Sequence, residues 1–224
     1  MDFFHTLNRG VDKRNIFLDD KDRFRFVHDL YEFNDQNRVF DVGYRANKSL
    51  DIASQDMKKK RKLLVDIHCF CLMGNHYHLL LSPRVENGIS RFMKKLNMGY
   101  AKYFNQKYKR KGALFEGRYK SVAINTESHF IHIPYYIHLN PLDFVSPDWR
   151  NRTIKNSKAA IEFLENYRWS SFLDYLGRKN FPSITNRSFL LKFFKGTGNH
   201  RVEVLNWIKG MDFNSIKNLA LEQE

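Results

Sequence analysis

The sequence predicts an α+β fold: a ferredoxin-like, RRM-like antiparallel sheet with helices packed on one face, followed by a mainly helical C-terminal extension. Three observations predict it. Short apolar runs of strand character and longer segments of helical apolar spacing follow one another as strand, helix, strand, strand, helix, strand, helix. Two of the apolar runs flank Gly74-Asn75, which reads as a tight hairpin turn and therefore as antiparallel pairing. After Pro141 the character changes to a polar stretch reaching Ser157, then a short helix, the segment Tyr167-Arg168-Trp169-Ser170-Ser171, and a basic, aromatic helical region from Ser188 to Met211. The expected division is a core of residues 1–145 and an extension of residues 146–224.

Along the chain, Phe3 to Leu7 reads as the first strand, broken by Asn8-Arg9-Gly10. Asp19-Asp20 then open a helix through Phe24, Phe26, Val27, Leu30, Tyr31 and Phe33, since acidic residues suit a helix N-terminus. Asn34 to Lys60 keeps neither period and reads as an inserted loop. Leu63 to Leu72 and His76 to Leu81 are the hairpin strands. A basic amphipathic helix starts near Ser90, with Phe92, Met93, Leu96, Tyr100, Tyr103 and Phe104 mainly on one side, and Gly112 ends it. Ala113-Leu114-Phe115 and Tyr119 to Ile124 read as strand. Thr126 caps a last core helix that runs to about Asn140, where Pro141 stops it.

Length and charge narrow the function. A chain of 224 residues is ample to bury a core without disulfides, and the two cysteines, Cys69 and Cys71, sit inside an apolar run as small buried thiols. With no export-type N-terminus and no apolar run approaching a membrane span, the expectation is a soluble, cytoplasmic, nucleoid-associated protein. The net charge of +14 and pI near 9.7 attract a polyanion, nucleic acid first. Lys58 to Lys62 is an unbroken basic run that equally suits a solvated loop. The stretch from Arg91 to Lys111 carries no Asp or Glu. Candidates for gripping a DNA backbone are Arg9, Arg91, Lys94, Lys95, Lys102, Arg118 and Lys120. Tyr100, Tyr103 and Phe104 can stack on unpaired bases, although their spacing favours core packing.

Two constellations carry chemistry. Strand alternation puts the His76 and His78 imidazoles on one face and Tyr77 on the other, so two ligands can converge on one cation. The same spacing also suits two histidines on the polar face of a half-buried strand. His132, Tyr136 and Asn140 stack along one face of the last core helix at i, i+4 and i+8, whereas Tyr135 falls with the core residues. A tyrosine oxygen can attack a phosphodiester and store the bond as a phosphotyrosine. Asn140 can offer an amide oxygen to a metal. Such a stripe is also what a packed amphipathic helix shows, and Pro134 marks a kink or a late start.

Met73 to Leu81, then Leu114-Phe115-Glu116-Gly117-Arg118-Tyr119-Lys120, then Tyr136-Ile137-His138-Leu139-Asn140-Pro141 together resemble the single-tyrosine HUH transposases, in their REP-associated tyrosine transposase branch. The resemblance spans about Phe3 to Phe172 and includes Asn8-Arg9-Gly10 and Trp169-Ser170-Ser171. It implies that His76 and His78 are the metal pair, Tyr136 the nucleophile and Asn140 the residue completing the metal site. It further implies cleavage of single-stranded DNA near hairpins, with Mg²⁺ or Mn²⁺; Zn²⁺ also suits two imidazoles and an amide. Relatives commonly carry glutamine in place of Asn140 and proline in place of Gly74. Some act as monomers and others as homodimers that exchange the tyrosine helix. The alternatives are a non-catalytic single-stranded nucleic-acid-binding protein, which needs no such triad, and a metal-dependent hydrolase of another substrate.

Overall fold

Sheet formation starts from the most apolar runs of the chain. In the computed structural model, which describes residues 2–37, 61–151, 154–194, 196–210 and 221, four strands form: β1 (Phe3–Arg9), β2 (Val65–Leu72), β3 (His76–Pro83) and β4 (Lys120–Ile124). Their order is β2-β3-β1-β4 with every pair antiparallel, the ferredoxin-like topology expected from the sequence. Helix α1 (Asp20–Glu32) joins β1 to β2, α2 (Gly88–Lys107) joins β3 to β4, and α3 (Glu127–Leu139) follows β4. Most of the expected inserted loop, and Lys58 to Lys60 of the basic run, lie outside the described residues.

The sheet separates two cores. Tyr77, Leu79 and Leu81 of β3 pack with Phe26, Val27 and Leu30 of α1 and with Phe92, Met93, Leu96, Tyr100 and Phe104 of α2. Leu80, Cys69 and Cys71 point the other way, against Ile133, Tyr136 and Ile137 of α3. A bulge in β2 between Ile67 and Cys69 lets Ile67 and Phe70 share a face despite their odd spacing. The helices of the expected layer, α1 and α2, lie on one face; α3 and the extension cover the other.

Local chemistry explains the boundaries. Asp19 and Asp22 form a reciprocal cap on α1, and Thr126 accepts from the His129 amide at 3.1 Å to start α3. Pro141 then sits in a 3₁₀ turn, Asn140–Phe144. β1 runs through the expected break to Arg9 because its carbonyl still finds a donor, the Glu116 amide at 2.9 Å. α2 begins two residues before Ser90 and stops at Lys107, well short of Gly112, because the Arg110 amide turns back to the Asn105 carbonyl at 2.8 Å. The strand expected at Ala113-Leu114-Phe115 is only a single antiparallel bridge between Phe115 and Gly10, flanked by the Val11 amide on the Leu114 carbonyl and the Glu116 amide on the Arg9 carbonyl, both at 2.9 Å.

The extension is built of the 3₁₀ turn Pro147–Asn151, then α4 (Ser157–Asn166), α5 (Phe172–Tyr175), α6 (Ser188–Phe193) and α7 (Thr197–Gly210). It is stitched to the sheet. The Leu72 amide donates to the Trp169 carbonyl at 2.9 Å, the Ser171 amide to the Phe70 carbonyl at 3.0 Å, and the Tyr175 hydroxyl to the His68 carbonyl, at the β2 bulge, at 2.7 Å. His138 on α3 hydrogen-bonds Ser171 Oγ at 2.8 Å and His200 at 3.3 Å, so three elements share one buried polar chain.

Burial pushes the His200 imidazole down to about 3 and that of His68 to about 4. The unfolded chain binds these protons near pH 6.5 and the folded chain does not, so stability is complete above that pH and is lost as pH falls through the window down to about 4. Urea denaturation between about pH 7 and pH 5 is expected to show a loss of roughly 1.4 kcal/mol per pH unit for each such histidine. His68→Gln should flatten that slope by about one proton; an unaltered slope contradicts a neutral buried His68.

Candidate active site

β3 lies between β2 and β1, so its side chains are screened from water on both flanks. On the α3 face stand His76, 7 % exposed, and His78, fully buried, with ring centroids 4.9 Å apart and planes nearly perpendicular. Tyr77 points into the opposite core, its hydroxyl donating to Asn97 Oδ1. The Gly74-Asn75 turn holds His76 in place without a proline. Gly74's carbonyl accepts from the Ile16 and Phe17 amides at 3.0 and 3.2 Å, and Asn75's from the Gly10 amide at 2.8 Å. Asn75 Oδ1 lies 2.6 Å from His76 Nδ1.

α3 delivers Tyr136 onto these imidazoles. The ring is fully buried and stands edge-on to His78, centroids 5.9 Å apart, and to His5 of β1, also 5.9 Å. His5 is itself joined to His78, Nε2 to Nδ1, at 2.9 Å. One turn further, the Asn140 amide donates to the Tyr136 carbonyl at 2.9 Å and its Oδ1 accepts from Arg150 Nη2 at 2.7 Å. Arg150 also bonds Asp143 and lies 5.7 Å from the Tyr136 ring centre, with Trp149 at 6.0 Å. Among the described residues no group of three or more His, Cys, Asp or Glu is placed to hold a metal ion.

The structure thus brings Tyr136 onto His78, with His76 beside His78 and Asn140 one helical turn beyond the tyrosine, and leaves His132 out. That ring faces the extension, accepting from Trp207 Nε1 at 3.2 Å. Tyr135 belongs to the core, packed against Phe194, His200 and Trp207. The basic candidates divide. Arg9 pairs with His76 across β1 and β3, and the exposed Arg118 and Lys120 lie before and at the start of β4, which pairs with β1. Arg91, Lys94 and Lys102 are on α2, on the other side of the sheet, and Lys95 there binds the carbonyls of Asp35 and Asn37. Tyr100 and Phe104 are core residues, and Tyr103 donates to Asp22 at 3.0 Å. Four residues at the site escaped sequence reasoning: His5, Asn75, Trp149 and Arg150. For His5 the signal was a histidine between Phe3 and Leu7 on one strand face.

Residues 39–140 match the model of the IS200-like transposases, a span that contains both histidines, the tyrosine and the asparagine. This span, a little under half of the chain, is what is similar to the IS200-like transposases. A solved structure of a REP-associated tyrosine transposase bound to a REP hairpin is similar at 14 % identity, covering 84 % of this chain and 88 % of that one, with a TM-score of 0.46. Comparison with curated proteins gives no match. No helix among the described residues is long and apolar enough to cross a membrane.

The turn before the histidines depends on Gly10, where a Cβ would stand 2.3 Å from the Arg14 carbonyl. Gly10→Ala is expected to cost about 1–3 kcal/mol by urea denaturation, as overpacking does. Wild-type stability in that variant would show that the loop holding Gly74 and Asn75 yields easily.

Proposed function

We propose that the chain is a metal-dependent single-stranded DNA endonuclease and strand transferase that cuts near hairpins through a 5′-phosphotyrosine, with Tyr136 as nucleophile. The observation that carries this reading is the edge-on contact of the Tyr136 ring with His78, inside the span similar to the IS200-like transposases. A phenol and two neighbouring imidazoles on one buried face, with an amide one helical turn beyond the phenol, are the parts that this reaction uses.

The residues fit a divalent cation. His76 and His78 converge from one strand face, and Asn140 contributes an amide oxygen once Arg150 gives it up. When bound, Mg²⁺ or Mn²⁺ polarises the scissile phosphate and neutralises charge on the leaving oxygen. Tyr136 loses its phenolic proton as its oxygen bonds to phosphorus; the bond to the 3′-oxygen breaks, and that oxygen takes up a proton. Attack by another 3′-hydroxyl on the phosphotyrosine reverses the step and joins strands. The tyrosine and the histidines meet within one chain, which supports an active site assembled without exchange of α3. In this reading residues 1–145 carry the chemistry and residues 146–224 brace the tyrosine helix, while Arg9, Arg118 and Lys120 receive the strand beside His76 and the α2 cations contact more distant DNA.

Tyr136→Phe should fold normally yet form no denaturant-stable adduct with hairpin DNA carrying a single-stranded flank; undiminished adduct rules out this nucleophile. His76→Ala should lose metal-dependent cleavage, and unchanged cleavage removes His76 from the metal site. Hairpin affinity should fall at least about tenfold between roughly 50 and 200 mM salt if several phosphates are held. Salt-insensitive binding would remove the basic surface from the account.

A further inference from the structure

His5 is outside every role assigned above, yet it is fully buried at the centre of the sheet and touches both His78 and Tyr136. β1 pairs with β3 so that Leu7 faces His78 and Leu80 faces His5, which makes the two imidazoles diagonal neighbours on one sheet face. Their rings are near parallel, 17° apart, with 2.9 Å between His5 Nε2 and His78 Nδ1. The adjacent histidine is held alike, since Asn75 Oδ1 lies 2.6 Å from His76 Nδ1. An imidazole engaged at Nδ1 presents Nε2 to a cation, and such outer partners fix the ring's tautomer and orientation.

We propose that His5 is a positioning residue for the metal site: its Nε2 accepts the Nδ1–H of His78 and thereby aims His78 Nε2 at the cation. The inference rests on the reading of His76 and His78 as metal ligands and adds a residue from a different strand. Burial gives the contact weight. With both rings at 0 % exposure, no water can replace the partner that His78 would lose.

The test is Mn²⁺ binding to the full chain without DNA, followed by electron paramagnetic resonance, with urea denaturation confirming that each variant folds. His5→Phe keeps a ring but no acceptor, and is expected to weaken Mn²⁺ binding about 10–100-fold, the usual effect of losing such a partner. His5→Gln places an amide oxygen near the lost Nε2 and should recover most of that affinity. Wild-type affinity in His5→Phe overturns the proposal, as does equal loss in both His5 variants, which would assign the effect to packing. If His78→Ala also binds Mn²⁺ like the wild type, the metal reading itself fails and the role of His5 fails with it.

Discussion

The period of two along β3 is the constraint on which the rest of the molecule depends. Each residue of this interior strand must enter one of two packed layers, and Tyr77, Leu79 and Leu81 are all fully buried on the α1–α2 side. A slip of one residue would expose that set and turn His76 and His78 away from α3. Burial of each such side chain is worth about 1.5–3 kcal/mol, so the apolar residues of β3 set the direction of its histidines. The bulge in β2 belongs to the same constraint. By absorbing one residue near His68 it places Cys71 opposite His78 while Ile67 still packs against the other core.

α3 must then bring one particular face to the strand. Adjacent tyrosines on a helix point about 100° apart, and the two here are sorted by what each meets. Tyr135 stacks on His200, beside Phe194 and Trp207 of the extension, whereas Tyr136 meets His5 and His78. The extension therefore fixes the rotation of α3 from outside. His138 strengthens this by bonding both Ser171, itself tied to β2, and His200 on α7. The segment Trp169-Ser170-Ser171 is a joint between sheet edge and tyrosine helix, which explains how residues remote from the histidines in sequence bear on the site.

How much was legible follows the range of the interactions involved. Strand alternation separated His76 and His78 from Tyr77, and helical spacing separated Tyr135 from Tyr136, because both are local periodicities that the chain writes residue by residue. The same is true of Asp19 and Thr126 as caps. His5 was not legible as a partner of His78, since the two are 73 residues apart and meet only through the β1–β3 register. Arg150 reaches Asn140 by way of a 3₁₀ turn that has no periodicity to read. His132 was placed with Tyr136 by its i+4 spacing, but it is equally the i−3 neighbour of Tyr135, and Trp207 engages both of these rings, so the extension draws His132 to its own side. The early end of α2 has the same character: Tyr108 donates to Asp22 at 2.7 Å, tying the chain to α1 before Gly112 is reached.

Closure of the site follows from these contacts. The nucleophile proposed above is fully buried, with Trp149 and Arg150 packed against its ring, and the oxygen of Asn140 accepts from the Arg150 guanidinium. The Pro147–Asn151 turn therefore packs against the tyrosine ring and holds the asparagine oxygen through the same side chain, Arg150. A cation cannot take the Asn140 oxygen while a guanidinium holds it, for two positive charges would then share one carbonyl. Both contacts lie in one turn and largely in one side chain, whose charge is of the sign that a DNA phosphate attracts.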